Sequence, residues 1–371
     1  MEKWKANLYR LSLRALPLPP YTQFNEVTGD FPQAEEILKI LRAHRAVGAT
    51  VALFDETGMT GALAAGFMGK EKEKTGVDTV YRIASVTKHV TALLLMRLFD
   101  EGLIDPDADV DAFLPCSLRH PKAPDMPVTL RRLMSHTAGI RDGEGYTASF
   151  SGKKQLQEVL RSDCFAAVPD GFEYSNLGAG IIACVLEGML EKGFEQIVSE
   201  SLLKPLNVTA TFFPQRVTGA LADAWRVLPP ARQAGYDARK RRSAPLPDLS
   251  PDPARHYLWA QGNLCITAEN LAKIGAELLQ QRYAPMRKKV ASFGERAYNL
   301  DMGLGTFIVN DASVCPQTLY GHQGLAYGAV HGLFYDPDRK RGVIILTSGC
   351  SEARDGVLAD INKAIMKKVF R

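Results

Sequence analysis

Apolar runs of β character stand near both ends of this chain and its middle is helical, which leaves few architectures open. Residues 34–46, AEEILKILRAHRA, place apolar side chains at helical spacing. VALFDETGMTGALAAGF, from Val51, is two apolar runs around a Gly-containing turn and predicts a hairpin. TVYRIAS is a third short β-like run. The stretch after it, VTKHVTALLLMRLFDEG, reads as a long apolar helix closed by Gly102. From about 303 the pattern returns: GLGTFIVN, AYGAVHGLFYD and GVIILTSG are β-like, separated by turn signals such as DPDRKRG. ARDGVLADINKAIMKKVF then has helical spacing. Strands and a helix at each end predict one antiparallel sheet shared by the first and last segments. The expected class is α+β, an antiparallel sheet flanked by helices with a large, mostly helical insertion. The expected division is a sheet domain from 31–99 and 271–371, a mainly helical domain over 100–270, and an active site in the cleft between them.

Composition removes several functions. The 371 residues are 46% hydrophobic and 23% charged, so the chain can bury a large core and is not a disordered or low-complexity sequence. A net charge of +4 is too small to argue for nucleic acid, and none is expected as a partner. No apolar run is long enough to span a membrane. The first twenty residues alternate leucines with arginines and lack the apolar stretch of a secretory signal, which reads as a mature or cytoplasmic start. A trimmed periplasmic or extracellular chain would look the same. The six cysteines are scattered, with no C-x-x-C, and read as buried small hydrophobes in a reducing compartment. No metal or cofactor is expected. Residues 215–256, with six prolines and the cluster Arg239-Lys240-Arg241-Arg242, read as a solvated loop.

Covalent catalysis needs a nucleophile with a proton acceptor in reach, and S-x-x-K on a helix supplies both on one face. The spacing occurs three times, at Ser85–Lys88, Ser151–Lys154 and Ser201–Lys204. Ser151 sits in a polar, Gly-containing stretch, and Ser201 stands before Pro205, where Lys204 would point to water. Only Ser85 stands where a β-like run meets a strongly apolar helix. There its N–H lies in a first turn whose donors lack internal partners. Burial of that helix would desolvate Lys88 and lower its pKa toward that of a useful base. Two further patterns carry suitable chemistry. Tyr174-Ser-Asn176 precedes the apolar stretch AGIIACVLEGML, and a phenol can relay a proton while an amide orients lysine and substrate. His322-Gln-Gly324 lies beside an Ala/Gly-rich strand, where a glycine permits close approach of a ligand.

Taken together, Ser85-x-x-Lys88, Tyr174-x-Asn176 and His322-x-Gly324 resemble the serine β-lactamase and D-alanyl-D-alanine carboxypeptidase superfamily, of penicillin-binding-protein type. The Y-x-N motif looks like the branch holding class C β-lactamases, carboxypeptidase B-type enzymes, D-aminopeptidases and esterases. Leu133-Met-Ser-His136-Thr-Ala-Gly139, Pro205-Leu-Asn-Val-Thr-Ala-Thr and Gly262-Asn-Leu-Cys-Ile-Thr-Ala-Glu-Asn-Leu-Ala resemble other segments of that branch. The resemblance implies that Ser85 is acylated, that Lys88 and Tyr174 handle its proton, and that Asn176 holds the acyl side chain. It also implies an oxyanion hole from the N–H groups of Ser85 and Leu325. His136, His89 and His331 read as structural.

Relatives that hydrolyse β-lactams usually carry lysine where this chain has His322. A neutral imidazole is a weaker partner for a substrate carboxylate. The activity implied is therefore that of a serine hydrolase working through an acyl-enzyme on a D-alanyl peptide, a D-amino-acid peptide or a carboxylic ester. The alternatives are a class C-like β-lactamase and an acyl sensor that traps β-lactam or peptidoglycan fragments without turnover. The partner implied is a small molecule or peptide; the oligomeric state stays open. Ser85→Ala is expected to abolish ester hydrolysis and His322→Lys to raise β-lactam turnover, read with chromogenic substrates of each kind. Full activity in the first variant would displace Ser85 as nucleophile.

Overall fold

The computed structural model describes residues 2–69, 72–151, 154–160, 162–228 and 234–371. Its centre is a nine-stranded antiparallel sheet. From edge to edge the strands are Glu26–Gly29, Gly58–Gly66, Gly48–Asp55, Arg341–Thr347, Ala329–Asp336, Leu319–Ala326, Phe307–Val309, Leu300–Met302 and Ala291–Ser292. The predicted hairpin is the Gly48–Asp55 and Gly58–Gly66 pair. The two ends of the chain meet where Gly48–Asp55 pairs with Arg341–Thr347 in the centre of the sheet.

Both faces of the sheet are covered, which explains runs that are apolar at every position rather than at alternate ones. Val51, Val343 and Ile345 face the helices Ala34–Ala43 and Asp360–Phe370, together with Ile37, Leu41 and Ile365. Their neighbours Ala52, Ile344 and Leu346 face the other way, toward the helices Val86–Asp100 and Ala268–Leu278. The Val86–Asp100 helix is buried on nearly every side, as its unbroken apolar composition requires. Between 100 and 265 the chain forms short helices, the longer helix Asn176–Leu190 and strands of two or three residues. Among the described residues no helix is long and apolar enough to cross a membrane. All six cysteines are unpaired, five of them buried and Cys116 half-buried.

Three sequence expectations need correction. The run TVYRIAS contributes only Tyr81–Arg82, and it pairs with Cys265–Ile266 in a separate three-stranded sheet. Ala84 ends it by adopting a left-handed conformation (φ 47°), which turns the chain into the helix at Ser85. The stretch AYGAVHGLFYD is not one strand. Tyr327 (φ 59°) and Gly328 (φ 97°) form a two-residue hairpin turn, and both positive φ values match the twist of the flanking strands. His322 and Gly324 consequently lie inside a strand, Leu319–Ala326, rather than ahead of one. The sheet also starts at Glu26, ahead of residue 31, and a helix, Lys3–Arg14, precedes it.

The helix Asn176–Leu190 is held close to the segment 257–261. Gly180 packs against the Tyr257 backbone, and a Cβ there would overlap the Tyr257 carbonyl oxygen. Gly180→Ala is expected to destabilise the fold by about 1–3 kcal/mol through overpacking. Thermal or urea unfolding measures that loss, and an unchanged midpoint would contradict the close approach.

Candidate active site

The site is assembled from five segments: the start of the Val86–Asp100 helix, the loop after Gly139, the start of the Asn176–Leu190 helix, the turn 260–263 and the Leu319–Ala326 strand. Ser85 stands at the entry to its helix with helical φ and ψ, and its side chain makes no capping hydrogen bond. The hydroxyl is engaged elsewhere. Lys88, one turn on and buried, places Nζ 2.9 Å from Ser85 Oγ. The same nitrogen lies 2.8 Å from Asn176 Oδ1 and 2.6 Å from the Gln261 carbonyl oxygen.

Those two oxygens decide what Lys88 can do. A carbonyl only accepts, so Asn176 Oδ1 and Gln261 O take two N–H groups of the amine. In the neutral amine the remaining position is the lone pair, and it faces Ser85 Oγ. The orientation of the Asn176 amide is fixed in turn: Nδ2 donates to Asp142 Oδ2 at 2.7 Å, and a carboxylate only accepts. Asp142 Oδ1 also receives the Leu177 N–H at 2.9 Å and the Ser175 hydroxyl at 3.2 Å. The carboxylate thus caps the Asn176–Leu190 helix, where its charge is favoured by the helix dipole. Burial pushes Lys88 from its ordinary 10.5 down to about 7; Asp142 opposes that fall and the Arg82 cation adds to it. The neutral amine is thereby brought into the range of neutral pH.

Tyr174 packs against the His136 ring at a tilt of 36°, centroids 4.4 Å apart, and Lys88 Nζ lies 5.4 Å from its ring centre. Burial raises its phenol above the ordinary value, against the lowering effect of a hydrogen bond with Ser85. His136 accepts the Ser175 N–H on Nδ1 at 3.2 Å, and burial and Lys88 together hold it neutral, at about 3. His322 has no exposed surface. Its Nδ1 donates to the Gln323 carbonyl at 2.7 Å and its ring stacks on Phe307, centroids 4.0 Å apart. Its Nε2 has no hydrogen-bond partner among the described residues. Burial and the nearby Lys88 keep this imidazole well below its ordinary value, hence neutral. His89 and His331 are buried, bonded to Gly305 O and the Thr347 N–H respectively.

Gly324 brings its strand against the turn before Ser85. A Cβ there would overlap the Ile83 carbonyl oxygen and press on the Ser85 nitrogen. Leu325 pairs with Val330, whose N–H and C=O are both bonded to the Thr347 hydroxyl at 3.0 Å on the other side. In an antiparallel ladder this makes Leu325–Val330 a non-hydrogen-bonded pair. The Leu325 N–H therefore points away from Val330, along an edge that the Phe307–Val309 strand, paired only as far as Gly321, leaves open.

The other two S-x-x-K spacings do not build such a site. Lys204 is exposed at a helix end. Gly152 and Lys153, inside the second spacing, lie outside the described residues, as do residues 229–233 of the 215–256 loop. The basic cluster forms a short exposed helix, Ala238–Arg242. Two site residues escaped the sequence reading. Asp142 lies three positions beyond the Leu133–Gly139 motif with no spacing that ties it to Asn176. Gln261 acts through its backbone, so its side chain gives no signal; that side chain accepts from the Tyr146 hydroxyl instead. An open depression of about 1050 Å³ adjoins Asp142, lined by Arg141, Glu144, Lys154 and Asp163 among others.

With this geometry in place, comparison with known proteins is decisive for the family. The family model Beta-lactamase matches residues 30–365. The chain belongs to the beta-lactamase family. Serine hydrolases of this fold include esterases, D-amino acid amidases and DD-peptidases. "Protein flp" of Staphylococcus aureus (strain MRSA252) is 23% identical over 311 residues, covering 80% of this chain and 58% of flp. The chain therefore spans little more than half the length of that relative. Two solved structures share the fold at a TM-score of 0.69, each covering 91% of this chain and 98% of its own. One is EstCE1, a hydrolase with promiscuous acyltransferase activity, at 22% identity. The other is the D-amino acid amidase of Ochrobactrum anthropi SV3 with D-phenylalanine, at 21%.

Asp142→Asn removes both the lock on the Asn176 amide and the charge that raises the Lys88 pKa. The expected result is a kcat reduced by about tenfold or more, with the acid limb of the pH–rate profile moved to lower pH. A pH–rate profile of each form measures both, and an unmoved limb would contradict the coupling.

Proposed function

We propose that this protein is a serine hydrolase that forms an acyl-enzyme on Ser85 and acts on carboxylic esters or D-amino-acid amides. The observation that carries the reading is the buried Lys88 Nζ, held by Asn176 Oδ1 and Gln261 O within 2.9 Å of Ser85 Oγ, with its pKa lowered by burial. As Oγ attacks the substrate carbonyl, Lys88 Nζ takes the hydroxyl proton. The oxyanion is received by the N–H groups of Ser85 and Leu325, a pair whose members are each worth about 10²–10³ in rate. The proton returns through the Tyr174 phenol to the leaving oxygen or nitrogen, and the acyl ester forms. Water then attacks the ester carbonyl, Lys88 takes its proton and returns it to Oγ as the Oγ–acyl bond breaks, and the carboxylic acid leaves with the Ser85 hydroxyl regenerated.

Lys88 rather than Tyr174 is the base in this scheme. The phenol is held above its ordinary value and stays protonated, which suits it to donate. One Asn176 N–H is bound to Asp142, and the second is available to the acyl side of the substrate. His322 acts from behind, packing Tyr174 and the strand edge, because its ring is buried.

The neutrality of His322 also supports the choice of substrate. A penicillin or a C-terminal D-alanine presents a carboxylate, which a buried neutral imidazole does not attract. Esters and D-amino-acid amides need no such cation, and the fold neighbours named above include a hydrolase and a D-amino acid amidase.

The test is a parallel assay of p-nitrophenyl butyrate, D-phenylalanine amide, a D-alanyl-D-alanine peptide and a chromogenic cephalosporin, with mass spectrometry of the trapped protein. The expected outcome is turnover of ester or amide at least about a hundredfold above the cephalosporin, an adduct on Ser85, and an acid limb near pH 7. Preferred turnover of the cephalosporin or the D-alanyl peptide would overturn the substrate reading. An adduct elsewhere would overturn the nucleophile, and a burst without turnover would make the protein an acyl sensor.

A further inference from the structure

The helix Lys3–Arg14 lies outside the catalytic machinery and carries two opposed faces. Ala6 and Leu13 are buried against the body of the protein. Arg10 clamps the helix there, its Nε and Nη2 donating to the two oxygens of Asp360 at 2.7 and 3.0 Å and its Nη1 to Asp355 at 3.0 Å. The Tyr9 hydroxyl accepts the Glu352 N–H at 3.3 Å. At about 100° per residue, Trp4, Leu8 and Leu11 fall within roughly 60° of one another on the side away from this seat. They are 63%, 57% and 61% exposed, which is unusual for three large apolar side chains in one stripe.

The flanks of that stripe are basic. Lys3 and Arg14 stand on one side and Lys5 on the other, all exposed, with Glu2 the one carboxylate, paired to Lys5 at 2.6 Å. An apolar stripe of Trp and Leu bordered by Lys and Arg is the composition of a helix that lies in the plane of a lipid–water interface. The apolar side chains enter the acyl boundary while the cations sit at headgroup level, where each adds to attraction for anionic lipid. The Arg10–Asp360 clamp holds the helix to the body, so its outer face is presented as a rigid ridge rather than as a loose tail.

We propose that the Lys3–Arg14 helix docks the protein on the surface of an anionic lipid bilayer through Trp4, Leu8 and Leu11, with Lys3, Lys5 and Arg14 on the headgroups. The docking is peripheral and reversible, because one short helix buries too little apolar surface for permanent insertion.

Flotation of the full chain with mixed phosphatidylglycerol and phosphatidylcholine vesicles tests this, with pure phosphatidylcholine vesicles in parallel. Binding is expected to the mixed vesicles, at least about tenfold weaker to the neutral ones, and weaker still as salt is raised. The double variant Leu8→Glu, Leu11→Glu is expected to lose the binding while keeping wild-type ester hydrolysis and the wild-type circular dichroism spectrum. Replacing Lys3, Lys5 and Arg14 by Gln is expected to remove the preference for phosphatidylglycerol. Absence of vesicle binding at low salt overturns the proposal, as does binding that the double variant leaves unchanged. Sedimentation in which the chain self-associates and the double variant does not would assign the stripe to a second copy and overturn it equally.

Discussion

An amine in a dry pocket is the constraint on which the rest of this structure turns. Lys88 is buried, and among the described residues its amine has three polar contacts, to Ser85 Oγ, Asn176 Oδ1 and Gln261 O. Moving its pKa from 10.5 to about 7 makes the folded state roughly 4 to 5 kcal/mol less favourable to the ammonium than water is. The sign follows from linkage: the unfolded chain binds this proton more tightly, so stability rises with pH between those two values and is lowest below the folded one. A lysine placed there for stability alone would be a poor choice. Its position is intelligible as chemistry, since the same penalty provides a base at neutral pH.

The fold serves that amine at some distance. Covering both faces of the sheet buries the Val86–Asp100 helix, and the burial of the helix desolvates its first turn. Two glycines set the walls. Gly180 lets the Asn176–Leu190 helix reach the 257–261 segment, so that Asn176 and Gln261 both touch the same nitrogen. Gly324 lets the Leu319–Ala326 strand lie on the Ile83–Ser85 turn, where the Leu325 N–H is turned outward. Ala84 adds a strained residue of its own, at φ 47°, immediately before Ser85. A non-glycine residue in that region costs free energy and persists where surrounding structure over-determines it.

How much of this could be read from residues alone follows from how each contact is coded. Ser85 and Lys88 were legible because one helical turn sets their distance and one apolar run sets their burial. Tyr174 and Asn176 were legible as a pair but not in their roles. The expectation that Asn176 serves the acyl group omits that its amide is already engaged by Lys88 and Asp142. Asp142 was invisible because it reaches Asn176 across 34 positions from a loop, and no periodicity connects them. The central sheet was legible as a bracket of apolar runs. The strand carrying His322 was misplaced because the turn at Tyr327–Gly328 rests on a tyrosine at positive φ, a conformation its residue type does not advertise. The burial of His322 was equally hidden, since it depends on Phe307 from another strand.

Electrostatics then limit what the site can hold. Burial lowers the pKa of Lys88, His136 and His322, and the Lys88 charge lowers the two histidines further, so a charge on Lys88 disfavours one on either imidazole. In the proposed reaction that charge arises on Lys88 as Ser85 gives up its proton. Asp142 is the carboxylate that favours it, acting through the Asn176 amide and through space. A second permanent cation at position 322 would compete with the lysinium formed during acylation, unless a substrate carboxylate arrived to neutralise it. With histidine there, no second cation faces Lys88, and the proposed acylation needs no substrate anion to offset one. On the proposed function, the residue at 322 and the charge of the substrate are thus one choice, made through the proton that Lys88 carries.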